Sequence, residues 1–254
     1  MSDVMQGKVI AITGASRGMG KGFAKLLASE GAKIVALARP SDALDSLNAE
    51  LGESILTVPC DISDAPAVTR AIDEGARHFG RLDVLINNAA GVCVTKVEEA
   101  TDEVIQRQYA TNLFGSIYAT RAAIPHLRAA GGGDIVFMSS ESVRMAFPLL
   151  TLYISSKSAI EGFAMGLRQE LRAEGTRVTV LRSGAVDTGT ISEGWTEEQT
   201  SYFMTEGLRS GCLAFSGQFA SVESMAKALS GVLALPRDVN VDLIEPRARA
   251  PLPT

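Results

Sequence analysis

Tyr153 and Lys157 stand four residues apart in Tyr153-Ile154-Ser155-Ser156-Lys157, a spacing that puts both side chains on one face of a helix, a turn from each other. An ammonium a few ångströms from a phenol favours the phenolate and draws the tyrosine pKa down from its reference of about 10. A phenol tuned in this way gives or takes a proton near neutrality. Upstream, Ser140 closes the apolar run Asp134-Ile135-Val136-Phe137-Met138, where a strand would deliver its hydroxyl to hold a carbonyl or hydroxyl oxygen beside that phenol. Alone, a Tyr and a Lys at this spacing are a common solvated pair. The chemistry therefore depends on what else the chain supplies.

A second constellation is Thr13-Gly14-Ala15-Ser16-Arg17-Gly18-Met19-Gly20, which follows the apolar run Lys8–Thr13 and opens a helical pattern. Small residues there let backbone approach a pyrophosphate, and a helix N-terminus favours its negative charge. The plainer alternative is a tight strand-to-helix turn that binds nothing. A ribose 2′-hydroxyl is usually held by an acid at the end of the second strand. Here that strand ends at Ala38 and Arg39 follows, while Asp42 and Asp45 come only after Pro40. Arg39, helped by Arg17, suits a 2′-phosphate, so the reading is NADP(H) ahead of NAD(H).

The elements that must position these groups alternate along the chain. Strands are expected at Lys8–Thr13, Lys33–Ala38, Ile55–Pro59, Asp83–Asn87, Asp134–Ser139, Arg177–Leu181 and near Asn240–Glu245. Helices are expected at Gly18–Glu30, Asp42–Leu51, Asp64–Phe79, Thr101 to about Ala129, Tyr153–Glu174 and Ser221–Ala234, with an irregular stretch after Thr188. Short strands separated by helices imply βαβ units. The expected fold is one Rossmann-type α/β domain, a doubly wound parallel sheet of about seven strands with helices on both faces. The 254 residues, 46% hydrophobic and 21% charged, suffice for a sizeable core.

Composition also excludes. A net charge of −5 offers no basic footprint for nucleic acid or an anionic membrane surface. No apolar run approaches the ~18 residues of a membrane span. The opening Met1–Gly14 lacks a secretory pattern, so a cytoplasmic protein is expected. Cys60, Cys93 and Cys212 are odd in number and widely spaced, which fits buried thiols rather than disulfides. With His78 and His126 the only histidines, a histidine-based triad or zinc site is nearly excluded, and no metal is expected.

Taken together these residues resemble the short-chain dehydrogenase/reductase family in its single-domain branch, over nearly the whole chain. The glycine pattern TGxxxGxG is matched by Thr13 through Gly20, and YxxxK by Tyr153 and Lys157. The resemblance implies that Asp61, followed by Ile62, contacts adenine. It matches the NNAG motif to Asn87-Asn88-Ala89-Ala90, with alanine last. It implies catalytic roles for Asn112, Ser140, Tyr153 and Lys157, with Asn112 holding a water that reconnects Lys157 to solvent. Gly184, Val186 and Thr188 match positions near the nicotinamide, where Ser183-Gly184 replaces the usual Pro-Gly. The family chemistry implied is reduction of a small-molecule ketone or aldehyde by hydride from NADP(H), with Tyr153 as general acid; the alternatives are an NAD-dependent secondary-alcohol dehydrogenase working oxidatively and a non-catalytic nucleotide-binding regulatory protein. The family's dimer surface implies a homodimer or homotetramer. The end Val241–Pro246 lacks a common glycine pair and leans toward the branch that reduces 3-oxo acids and related carbonyls.

Residues 188–219 carry Trp195, Tyr202, Phe203, Met204, Leu208, Leu213, Phe215 and Phe219. They form either a lid over a bulky apolar or aromatic substrate, or a segment that packs on itself or on a subunit neighbour. Glu141 and Arg144 either touch substrate or are solvated. The tail Ala250–Thr254 is expected to fray or to meet a partner.

Overall fold

The central strands of this chain are buried on both faces, which is why they read as unbroken apolar runs rather than alternating ones. The computed structural model describes residues 3–189 and 193–249. The tail Ala250–Thr254 and residues 190–192 of the expected lid lie outside that range. In order, the elements are β1 (Val9–Thr13), α1 (Gly18–Ser29), β2 (Lys33–Ala38), α2 (Asp42–Leu51), β3 (Ile55–Pro59), α3 (Ala65–Phe79), β4 (Val84–Asn87), α4 (Asp102–Tyr109) and α5 (Gly115–Ala129). Then come β5 (Asp134–Ser140), α6 (Thr151–Leu171), β6 (Arg177–Ser183), β7 (Val186–Asp187), α7 (Glu197–Arg209), α8 (Cys212–Ser216), β8 (Ala220–Ser221), α9 (Val222–Leu233) and β9 (Leu243–Ile244).

Seven strands pair in the order β3-β2-β1-β4-β5-β6-β9, all parallel. The order reverses between β1 and β4, and in such sheets ligands bind beyond the strand C-termini at that switch. Alternate side chains of one strand serve opposite layers. Ile10 and Ile12 join Phe23, Leu27, Leu44, Leu47 and Met225 beneath α1, α2 and α9. Val9 and Ala11 join Val68, Ile72, Ala123, Leu127 and Ile160 beneath α3, α5 and α6. The expected doubly wound Rossmann-type architecture is therefore present. Among the described residues no helix is long and apolar enough to cross a membrane.

Two local expectations are corrected. The helix expected from Thr101 to Ala129 is interrupted by a π-helical turn, Ala110–Phe114, which contains Asn112. The stretch after Thr188, expected to be irregular, carries α7 and α8. Helix α7 starts at a capping box in which Thr196 Oγ1 accepts from the Gln199 amide and the Gln199 side chain accepts from the Thr196 amide.

Candidate active site

The glycine turn is built by close approach. Gly14 has φ +67°, and a Cβ there would lie 2.8 Å from Ala89 Cα. At Gly20 a Cβ would come within 2.2 Å of the Gly14 carbonyl oxygen and 2.6 Å of Asn88 Nδ2. Only glycine permits both. Thr13 Oγ1 accepts from the backbone amides of Asn88 and Ala89, each at 3.0 Å, and Asn88 Nδ2 donates to the carbonyls of Thr13 and Gly14. The Asn88–Ala89 segment after β4 is thereby clamped to the end of β1, with Ala90 exposed beyond it. Helix α1 begins at Gly18, just after Ser16 and Arg17, and Arg17 gives its first amides, Met19 among them, no side-chain cap. That open helix end in a glycine-lined cradle fits a dinucleotide pyrophosphate.

On the far wall, Thr188 sits near Gly18, where a glycine Cβ would lie 3.6 Å from Thr188 Cβ. Val186 is buried, and the Ser183 hydroxyl donates to the Gly184 carbonyl and reaches Met19 Sδ at 3.8 Å. Gly184 has no room for a side chain, because a Cβ would meet Arg247 Cγ at 2.9 Å. The departure Ser183-Gly184 thus keeps the glycine that the C-terminal segment requires.

Sequence-predicted residues at the other end of the cradle are placed unequally. Arg39 is exposed and lies close enough to Asp61 to act on its charge. The Asp61 carboxylate is held below its ordinary value first by the Ser63 hydroxyl and amide, then by Arg39. Ile62 packs where Gly115 begins α5. Arg17 points the other way: its Nη1 pairs with Glu193 at 2.6 Å, both side chains well exposed.

Ser140, Tyr153 and Lys157 come together as the spacing predicts. Ser140 ends β5, its Oγ accepts from the Ser142 amide, and its hydroxyl lies close enough to the Tyr153 phenol to act on it. Lys157 Nζ lies 5.7 Å from the Tyr153 ring centroid. The electrostatics differ from expectation. Burial of the hydroxyl pushes Tyr153 above its ordinary pKa, and Ser140 offsets only part of this. Lys157 is 4% exposed; desolvation lowers its pKa to about 8, and its ammonium donates to the Met138 carbonyl at 2.7 Å. Desolvation dominates both shifts.

Asn112 is buried, turned inward by the π-helical turn. Its Oδ1 accepts from the Gly91 amide, and its Nδ2 donates to the Gly91 carbonyl and to Ser156 Oγ. None of these partners is Lys157. Gln108, one turn earlier, donates to the same Gly91 carbonyl and accepts from the Cys93 amide. Sequence reasoning missed Gln108, although its i, i+4 spacing from Asn112 was the available signal.

The aromatic segment partly packs on itself: Phe203 meets Trp195 edge-on at 5.0 Å and stacks with Phe147 at 6.2 Å. Leu213 fills the space beside Gly207. Tyr202, Met204, Leu208 and Phe219 stay exposed. Gln199 ties α7 to the Val94 carbonyl. Neither Glu141 nor Arg144 is simply solvated. Glu141 is buried, and Arg144 pairs with Glu245 at 3.2 Å while lying over the Phe215 ring.

A glycine-lined turn at the strand-order switch, with a serine, a tyrosine and a lysine at the end of β5 and the start of α6, is the arrangement of a nucleotide-binding α/β protein. A model of the short chain dehydrogenase family matches residues 8–199, and the chain belongs to that family. It is 36% identical over 182 residues to oxidoreductase BOA17 of Botryotinia fuckeliana, covering 71% of this chain and 66% of that protein. It is 36% identical to 11-beta-hydroxysteroid dehydrogenase 1A of Arabidopsis thaliana, covering 81% of this chain and 58% of that one. The chain thus spans less than two thirds of the length of these relatives. Among solved structures, an alcohol dehydrogenase of Thermococcus sibiricus complexed with 5-hydroxy-NADP superposes with a TM-score of 0.80 at 27% identity, covering 97% of this chain and 99% of that one. A short-chain dehydrogenase from Streptomyces avermitilis does so with 0.80 at 25% identity, over 94% and 87% of the two chains.

Proposed function

We propose that the protein is an NADP(H)-dependent reductase of a ketone or aldehyde, with Tyr153 as general acid. The observation that carries this reading is the gathering of Ser140, at the C-terminal end of β5, with Tyr153 and Lys157, whose Nζ lies 5.7 Å from the phenol ring and donates to Met138 of the same strand, while the neighbouring Ser183 reaches Met19 of the glycine cradle. Gly14, Ser16, Gly18, Met19 and Gly20 would hold the pyrophosphate, Asp61 and Ile62 the adenine, and Asn88, Ala89, Ala90, Gly184, Val186 and Thr188 the nicotinamide half. When bound, the nicotinamide would supply or accept the hydride.

The chain's own groups do the rest. Ser140 Oγ and Tyr153 Oη converge on one substrate oxygen and fix the carbonyl plane. As negative charge grows on that oxygen, both hydroxyls stabilise it and Tyr153 gives up its proton. Lys157 holds a positive charge beneath the phenol and would steady the ribose. Asn112 and Gln108 hold the Gly91–Cys93 loop in place.

A half-buried phenol whose pKa is raised by desolvation of its hydroxyl keeps its proton at neutral pH, which is the state a donor needs. An NAD(H)-dependent secondary-alcohol oxidation would need the phenolate and would therefore speed up with pH. Loss of nicotinamide absorbance with NADPH or NADH over a panel of aldehydes and ketones tests the proposal, and no turnover with either cofactor would reject it. For the 2′-phosphate, Arg39 supports NADPH; Arg17 would have to leave Glu193 to help. Arg39→Asp should shift the kcat/KM ratio toward NADH by at least about tenfold, the scale expected when a charge-assisted hydrogen bond to the phosphate is replaced by a like-charge repulsion. An unchanged ratio would remove Arg39 from the site.

The cradle makes its own prediction. In Gly20→Ala the added methyl overlaps the Gly14 carbonyl and Asn88, so the turn must open. At an overpacking cost of about 1–3 kcal/mol, NADPH affinity measured by fluorescence titration should fall roughly tenfold or more. Wild-type affinity in that variant would mean the pyrophosphate binds elsewhere.

A further inference from the structure

Directly after Ser140 the chain makes one 3-10 turn, Glu141–Val143, and buries the first of its side chains to 4% exposure. Carboxylates are almost never buried so deeply unless held, and the chemistry above makes no use of this one. Its partners come from three other segments. Ser216, at the end of α8 and itself buried, donates to Oε1. The turn between β6 and β7 brings its Ala185 amide close enough to act on the same carboxyl, and its Gly184 amide donates at 3.0 Å to the carbonyl of Pro246, the neighbour of Arg247. Arg247, in the C-terminal segment, has Nη1 3.7 Å from Oε2, an oxygen that otherwise makes no hydrogen bond. Arg247 also donates to the Phe215 carbonyl at 3.1 Å and lies 4.2 Å over the Phe215 ring, gripping α8 a second time. Beyond Arg247, the other charge facing Glu141 is Glu245, itself paired with Arg144 and Arg182.

These contacts meet at one point. α8 continues from α7 and carries the aromatic segment, while the Ser183–Val186 turn forms the wall opposite the glycine cradle. We propose that Glu141 is a positioning residue, its carboxyl fastening both the α7–α8 segment and the Ser183–Val186 turn to Ser140. One group thus sets the substrate side and the nicotinamide side of the site relative to the hydroxyl that aligns the carbonyl. The inference rests on the reading of Ser140 given above, but its central contact, Glu141 to Ser216, can be tested without catalysis.

Trp195 is the single tryptophan of the chain and stands at the start of α7 against Phe203, so its fluorescence reports that segment alone. Acrylamide quenching is measured on the full-length wild type and on Glu141→Ala, Glu141→Gln, Ser216→Ala and the double Glu141→Ala/Ser216→Ala. Far-UV circular dichroism serves as the check on folding. The quenching constant should rise at least about twofold in Glu141→Ala and in Ser216→Ala, as for a locally opened segment. It should rise no further in the double variant, because both changes break one link. Glu141→Gln keeps an acceptor for Ser216 and should stay near wild type. NADPH affinity should weaken several-fold in Glu141→Ala but hold in Ser216→Ala, where the link through Arg247 to the Gly184 turn survives. Unchanged quenching in folded Glu141→Ala would overturn the proposal. If that variant does not fold, unchanged quenching in Ser216→Ala overturns it instead, and so do additive effects in the double variant. A wild type that binds no NADPH would count against the oxidoreductase reading, and the quenching series would still judge Glu141.

Discussion

Tyr153→Phe should lower kcat for carbonyl reduction by at least about 10²-fold, the scale of a lost general acid, while NADPH affinity stays close to wild type. The split follows from the geometry. Phenylalanine keeps the ring, and with it the packing over Lys157 Nζ, 5.7 Å from the centroid. What disappears is the hydroxyl that Ser140 acts on. The transition state then loses its proton source and one of two donors to the developing oxyanion, whereas the ground state loses only one hydrogen bond. Ser140 remains to hold the substrate oxygen, so KM should move less than kcat. Steady-state kinetics beside a fluorescence titration of NADPH check both halves. Near-normal turnover in the variant would show that the proton comes from elsewhere, and the assignment of Tyr153 would fall.

Much of this site was legible in the sequence because it depends on local spacing. Four residues on a helix put Tyr153 and Lys157 on one face, and the Gly14–Gly20 turn follows β1 where an apolar run ends. The parallel sheet was legible because its central strands, buried on both sides, carry unbroken apolar runs. What stayed hidden depends on distant partners. No local pattern says that Glu141 meets Ser216, 75 residues away, or that Arg17 turns toward Glu193 rather than toward a phosphate. The sign of the Tyr153 shift was hidden as well. Spacing reveals that a cation is near, but only packing reveals how much water both groups have lost. The α7 helix is a different case. Its signal, Thr196 followed three residues later by Gln199, was present in the sequence, but the aromatic residues around it do not repeat with a helical period.

Lys157 should give the enzyme its alkaline limit. Burial lowers its pKa from the ordinary 10.5 to about 8, so its ammonium is still mostly charged at neutral pH and is lost as pH climbs past 8. Tyr153 moves the opposite way, upward. Over that range the cation therefore disappears while the phenol keeps its proton. Carbonyl reduction should accordingly be level below about pH 8 and fall above it, since a neutral lysine no longer stabilises the phenolate left after proton transfer. Lys157→Met should cost at least about 10²-fold in kcat at pH 7, and its residual rate should lack that limb. Stability supplies a second readout with a definite sign. Between about pH 8 and 10.5 the unfolded chain binds a proton at Lys157 that the folded one does not, so unfolding free energy rises with pH across that window. The rise from this residue is up to about 3 kcal/mol at 1.36 kcal/mol per unit. Below pH 8 the cost of burying the cation is present in full. Urea midpoints for the wild type should therefore increase from pH 8 toward 10, and Lys157→Met should show a flatter dependence. A limb near pH 8 that survives in Lys157→Met would assign it to another group, and equal slopes in the two proteins would show that Lys157 titrates in the fold as it does in water.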